Sequence, residues 1–252
     1  MDPRLQKIEH KIAAGERLDR DDALALFTTD DLFGLGKIAN GRKEKRHGTK
    51  IYFGVSLNIN HTNICTLRCP ICAFSTDRDA DNAYFLSQDE ISARVEKAAH
   101  HDISEVHIVG GLHDGIDLDY FRKMFTAIRQ LAPAMNINAL TATECDFISH
   151  KEGIPLGQLF HELKEAGLGS MPGGGAEILD ETIRQQITPL KISGERWLEV
   201  SEAAHQAGIK TNATMLWGHV ESYADRVEHM FKLRELQDQT NGFKSFVPLL
   251  FH

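Results

Sequence analysis

Hydrophobic positions change their period after residue 47. Up to there apolar residues recur at helical spacing, Leu5, Ile8 and Ile12 first, then through 21–27 and 32–39, which predicts an N-terminal helical extension over 1–48. Beyond it, short β-branched runs alternate with amphipathic stretches, the pattern of parallel βα units. Strands are predicted at 51–59, 105–109, 136–143, 169–171, 210–217 and 245–251. Ser87-Gln-Asp-Glu90 is a capping box that opens a helix with Ile91, Val95 and Ala98 on one face. Phe121, Met124, Phe125 and Ile128 form a second stripe, and Leu159, Phe160 and Leu163 a third that stops at Gly167. Further helices are predicted over 176–187, from Ser193 to Gly208 with Trp197, Val200 and Ala204 inward, and over 223–239.

Six βα strands fall short of the eight that close a barrel around its own packed centre. The predicted architecture is therefore α/β, a partial (β/α)6 barrel of the TIM type over 49–252 with an open cavity. In parallel α/β folds ligands gather at the carboxyl ends of the strands. Those ends carry the cysteine loop, Gly110-Gly111-Leu-His113, Glu144-Cys145, Gly173-Gly-Gly175, Gly218-His-Val-Glu221 and His252.

Charge and composition narrow the classes. A formal net charge of -8 over 252 residues opposes a nucleic-acid partner, and the basic run from Arg42 to His47 reads as a solvated connector. No signal-peptide core and no stretch of roughly 20 apolar residues is present, so a cytoplasmic protein without a membrane partner is expected. In a reducing compartment clustered cysteines stay thiols, which favours metal binding over disulfides.

Cys65, Cys69 and Cys72 are three of the four cysteines and fall in Asn63-Ile-Cys-Thr-Leu-Arg-Cys-Pro-Ile-Cys-Ala-Phe74. A buried helical face would explain their spacing, but Pro70 disrupts such a helix. Zinc would want a fourth ligand, for which His61 is available, and a structural protein that binds zinc or an iron-sulfur cluster without turnover is the alternative of another class. A cubane iron-sulfur cluster with three thiolates leaves one iron open. Glu144 is a carboxylate at the mouth of an apolar strand or else an exposed loop acid, and Gly110-Gly111 is a turn or a place of close backbone approach. Gly173-Gly-Gly175, read as preceding a helix near Ala176, offers bare N–H groups to an anion or is a connector. His113, His219 and His252 follow strands and suit carboxylate binding or proton transfer. Cys145 reads as a packed thiol, and His100, His101 and His205 as packed or solvent-facing.

The C-x3-C-x2-C spacing after a first barrel strand, with the glycine-rich end of the second, resembles the radical S-adenosylmethionine (SAM) superfamily. That resemblance implies a [4Fe-4S] cluster on Cys65, Cys69 and Cys72, with SAM chelated to the open iron, contacted by Gly110, Gly111, Phe74 and Glu144, and cleaved to a 5′-deoxyadenosyl radical. Ile71 departs from the aromatic residue usual before the last cysteine.

From residue 51 onward the chain is similar to menaquinone-pathway members, most of all the aminofutalosine synthase family, through Thr62-Asn-Ile-Cys65, Val106-His-Ile-Val-Gly-Gly-Leu-His113, Thr141-Ala-Thr-Glu144, Met171-Pro-Gly-Gly-Gly-Ala-Glu-Ile178, Asn212-Ala-Thr-Met-Leu216 and Phe246-Val-Pro-Leu-Leu-Phe-His252. This likeness implies a transferase that adds the adenosyl radical to the double bond of 3-[(1-carboxyvinyl)oxy]benzoate, with flavodoxin or ferredoxin as reductant. His219, His252 and Glu144 are expected to be catalytic, and His113, Gly173, Gly174, Gly175 and Glu221 to hold substrate. The cyclic dehypoxanthinyl futalosine synthases share the cysteine and glycine motifs and are the competing family. His61 and Asp114 stand where proline is expected and Trp217 where tyrosine is common. Relatives are expected to continue past the position of His252.

Overall fold

Asp2, Asp19 and Asp31 each accept a backbone N–H at a helix start and so open α1 (Pro3–Ala14), α2 (Arg20–Thr28) and α3 (Leu32–His47). The computed structural model, which describes residues 2–252, places these helices in one compact unit, the segment up to Phe53 with Glu221–Phe231. Its small core is Leu5, Ile8 and Ile38, backed by Ile12, Leu18, Ala25, Leu26 and Leu35. Helix α3 runs past the predicted residue 39 because Lys45, Arg46 and His47 suit the negative end of its dipole.

The second unit, Gly54–Val220 with Lys232–His252, holds six parallel strands in chain order: β1 (Ser56–Asn60), β2 (Glu105–Val109), β3 (Asn136–Ala139), β4 (Ser170–Met171), β5 (Lys210–Trp217) and β6 (Phe243–Leu250). No β1–β6 pairing closes the sheet among the described residues. Between the strands run α4 (Gln88–Ala99), α5 (Leu118–Leu131), α6 (Ala142–Glu152), α7 (Leu156–Glu165), α8 (Glu181–Ile187) and α9 (Gly194–Gln206), and α10 (Tyr223–Thr240) precedes β6. Val106, Ile108 and Ile137 point to the helix side, where Phe121, Phe125, Phe160 and Trp197 are fully buried. Each such aromatic contributes roughly 1.5–3 kcal/mol of transfer free energy. Alternate strand residues face the other way, into the open interior. No described helix is long and apolar enough to cross a membrane.

Besides α3, three elements differ from the sequence expectation, each for a local reason. β1 starts at Ser56 because its partner β2 starts at Glu105; ahead of it the Val55 carbonyl accepts the Ser104 N–H, and residues 51–54 pair with no strand. β3 ends at Ala139: Leu140 takes φ 64, and Thr141 with Glu144 forms a capping box that starts α6 inside the predicted strand. The helix expected over 176–187 shrinks to α8, since Glu177 sits at φ 42 and Asp180 caps at Ile183.

Candidate functional site

The cysteine loop leaves β1 and is stapled from both sides. Buried Asn63 donates to the Asn82 carbonyl at 2.8 Å and accepts the Tyr84 N–H at 2.8 Å, while the Thr62 hydroxyl donates to the Tyr84 carbonyl at 2.8 Å. The Thr66 N–H donates to the Leu112 carbonyl at 2.7 Å, which draws the loop onto the end of β2. This contact explains the glycine pair. A Cβ on Gly111 would lie 2.1 Å from the Ile64 carbonyl oxygen, and one on Gly110 would lie 2.3 Å from His61 Nε2.

Cys65, Cys69 and Cys72 all line one cavity of about 440 Å³ at the carboxyl ends of the strands. Phe74, Gly110, Gly111, Glu144, Gly174 and Gly175 line it too, so most of the residues expected at the site meet there. The walls are largely apolar, including Leu67, Val109, Leu112, Pro172, Val247 and Leu249. Among the described residues no three His, Cys, Asp or Glu side chains converge closely enough for a single ion. The donor set fits a cubane, which takes one thiolate on each of three irons and so needs its ligands only along one shared wall. Burial pushes the Cys69 thiol up, against the pull of the Lys191 ammonium.

Glu144 is buried as the third residue of α6 and not in a loop. Its Oε1 accepts the Gly110 N–H at 3.1 Å, its Oε2 accepts the Thr141 N–H at 2.6 Å, and His61 Nε2 lies 3.8 Å away. The glycine run does not open a helix, since α8 begins only at Glu181; that expectation is corrected. Instead the run is a shaped loop whose carbonyls are used internally. Gly173 accepts from the Thr214 hydroxyl at 2.6 Å and Gly174 from Trp197 Nε1 at 3.1 Å, and buried Arg184 donates to Gly175, Ala176, Ile178 and Ile192.

The strand-end histidines lie elsewhere. His113 is buried against Phe85, with Nδ1 accepting the Gly115 N–H at 3.0 Å, and burial lowers its pKa. His219 is engaged locally through the Leu216 carbonyl and the Val220 N–H, and His252 is an exposed terminal residue. Glu221 belongs to the helical unit, where it pairs with Arg226 at 2.6 Å.

Several lining residues escaped sequence reasoning: His107, Asn212 and Thr214 on strand interiors, and Lys191 in the loop before α9. The signal for the first three was polar residues at period two in strands that should be apolar on both faces. Lys191 pairs with buried Glu177 at 2.5 Å; burial opposes its charge, but Glu177, with smaller contributions from Cys69 and Cys72, holds it above the ordinary lysine value.

Residues 59–233 match the radical SAM superfamily. The chain is 41% identical over 250 residues to the aminodeoxyfutalosine synthase of Thermus thermophilus, covering 99% of this chain and 67% of that protein. It is 38% identical over 240 residues to the 5-amino-6-(D-ribitylamino)uracil–L-tyrosine 4-hydroxyphenyl transferase of Methanocaldococcus jannaschii, covering 94% of this chain and 67% of that one. The chain thus spans about two thirds of the length of the curated relatives it matches. The crystal structure of HydG, a maturase of the [FeFe]-hydrogenase, superposes with a TM-score of 0.77 at 16% identity, covering 100% of this chain and 55% of that one.

Proposed function

We propose, from the premise that this chain belongs to the radical SAM superfamily, that it joins the 5′-deoxyadenosyl group of SAM to the enolpyruvyl double bond of 3-[(1-carboxyvinyl)oxy]benzoate, with loss of a carboxyl carbon as bicarbonate. Membership brings a [4Fe-4S] cluster and SAM as cofactors. When bound, the cluster supplies the electron that splits the SAM sulfonium into methionine and a 5′-deoxyadenosyl radical.

The observation that carries the reading is that Cys65, Cys69 and Cys72 open onto a largely apolar cavity that also takes in Glu144 and Lys191. Cys65, Cys69 and Cys72 hold the cluster. Gly110 and Gly111 let the cysteine loop close against the end of β2, where a Cβ on either would strike His61 or the Ile64 carbonyl, and their backbone, with Phe74, lines the side of the cavity given to SAM. Glu144 keeps the Gly110 peptide in place through its N–H. Lys191 supplies positive charge beside Cys69 and Cys72, as a carboxylate of SAM calls for. Gly174 and Gly175 line the space left for the aromatic acceptor, whose ring suits walls of Val109, Leu112, Val247 and Leu249. The similarity to aminodeoxyfutalosine synthase across nearly the whole chain supports the choice of acceptor.

The test is a side-by-side anaerobic incubation of reconstituted, reduced protein and SAM with three acceptors: the enolpyruvyl benzoate, dehypoxanthine futalosine, and L-tyrosine with 5-amino-6-(D-ribitylamino)uracil. Mass analysis is expected to find an adenosyl adduct with the first alone. Turnover of either other acceptor, or release of 5′-deoxyadenosine and methionine without an adduct, overturns the assignment.

A further inference from the structure

The interior face of the sheet carries a polar network that the strand-end motifs do not account for. In β2 the alternation that buries Val106 and Ile108 against helices turns Glu105, His107 and Val109 inward, and in β3 it turns Asn136 and Asn138 the same way. Between β5 and β6 the register steps from Thr211↔Phe243 to Asn212↔Ser245, which leaves Lys244 as the extra residue of a β-bulge. A bulge re-aims a side chain. Lys244 Nζ comes to 2.9 Å from Ser170 Oγ and 3.6 Å from Glu105 Oε2.

Proton accounting through this network fixes its far end. Ser170 Oγ receives from two groups that can only donate, Lys244 Nζ and Asn136 Nδ2, both at 2.9 Å. Its own proton therefore goes to Asn138 Oδ1, 3.1 Å away. That assigns the Asn138 amide: its NH2 faces Glu105 Oε1 at 2.8 Å and His107 Nδ1 at 3.5 Å. The second contact is long, but its sign is fixed, because an amide N–H tolerates a ring lone pair and repels a ring N–H. Burial, opposed by Glu105 and Glu144, holds His107 below the ordinary histidine value, so the ring is neutral near pH 7. Of the histidines among the described residues, His107 alone lines the cavity.

We propose that His107 contacts the acceptor molecule, presenting a fixed Nε2–H donor to one of its carboxylate oxygens, with Asn138, Glu105 and Lys244 as positioning residues that set the tautomer. This rests on the reading that the cavity takes a carboxylate-bearing acceptor. Loss of a hydrogen bond to a charged group weakens binding about 10- to 100-fold.

The experiment measures, by calorimetry, binding of 3-[(1-carboxyvinyl)oxy]benzoate to the reconstituted, oxidised protein with SAM present, and reads the His107 tautomer from imidazole nitrogen-15 shifts. His107→Phe is expected to weaken binding about 10- to 100-fold with iron content unchanged, and His107→Gln, which keeps a donor, to stay within about threefold. Nitrogen shifts are expected to show a protonated Nε2 in the wild-type chain. In the Glu105→Gln, Lys244→Met double variant, which releases the Asn138 amide from the carboxylate and lets Ser170 turn, both tautomers are expected. Unchanged binding by His107→Phe, or a ring protonated on Nδ1, overturns this inference alone. No binding by the wild-type chain overturns the acceptor assignment together with it.

Discussion

Glu144 accepts the backbone N–H of Gly110 at 3.1 Å, so a carboxylate at the start of α6 holds the end of β2 that faces the cysteine loop. Its other oxygen takes the Thr141 N–H at 2.6 Å, which completes the capping box. Both oxygens therefore have structural work before any ligand arrives. Glu144→Gln keeps the shape but turns an NH2 toward one of the two N–H groups. An unmet buried donor costs about 1–3 kcal/mol, so the melting temperature is expected to fall, and SAM cleavage with it, as read by calorimetry and 5′-deoxyadenosine yield.

Gly111→Ala is expected to be worse than Gly110→Ala. Its new methyl group meets the Ile64 carbonyl at 2.1 Å, which is backbone, whereas the methyl of Gly110→Ala meets the His61 ring at 2.3 Å, which is a side chain. Overpacking of this kind costs typically 1–3 kcal/mol. The measurable result is iron retention after reconstitution: lost in Gly111→Ala, and recovered in Gly110→Ala when His61→Ala is added to make room.

Arg184 is buried and donates to four carbonyls of the glycine loop and its return, those of Gly175, Ala176, Ile178 and Ile192. Arg184→Met leaves these acceptors unpaired and is expected to destabilise the chain by at least about 1–3 kcal/mol, the cost of a single unmet buried group. Arg184→Lys does not rescue it, because an ammonium cannot fork to several acceptors in one plane. Urea unfolding midpoints of the three proteins check this ordering.

His205 is wedged between Thr240 and Thr211, with ring nitrogens 2.8 and 2.9 Å from their hydroxyls. Burial first, then Lys210, lowers its pKa from 6.5 to about 4. As pH falls, the unfolded chain takes up this proton before the folded chain does. The contribution to stability is therefore whole above pH 6.5 and drains until about pH 4. At pH 5 the loss is about 2 kcal/mol. His205→Gln is expected to lower stability at pH 7 and to flatten its decline between pH 7 and 5, measured by urea midpoints at each pH.

Much of this was legible in the chain because the relevant physics is local. Glu105–Val109 and Lys210–Trp217 read as strands from their apolar alternation, and Ser87 with Glu90 announced α4. Thr141 and Glu144 carried the same capping signal, but it lay inside an apolar run and the strand reading prevailed. Cys65, Cys69 and Cys72 were plain from spacing. Lys191 and His107 were not, because what makes them site residues is distance in space: Lys191 stands beside Cys69 only after the glycine loop is folded around Arg184. Position after a strand does not by itself put a ring on the cavity wall: those of His113 and His219 are engaged by neighbouring backbone groups.

Everything proposed for this chain requires Cys65, Cys69 and Cys72 to hold a cluster with one iron open to SAM, and electron paramagnetic resonance of the anaerobically reconstituted, reduced protein tests this most directly. The expected result is about four irons per chain and a reduced-cluster signal that shifts when SAM is added. A colourless protein with about one zinc per chain, or a cluster signal indifferent to SAM, would contradict it.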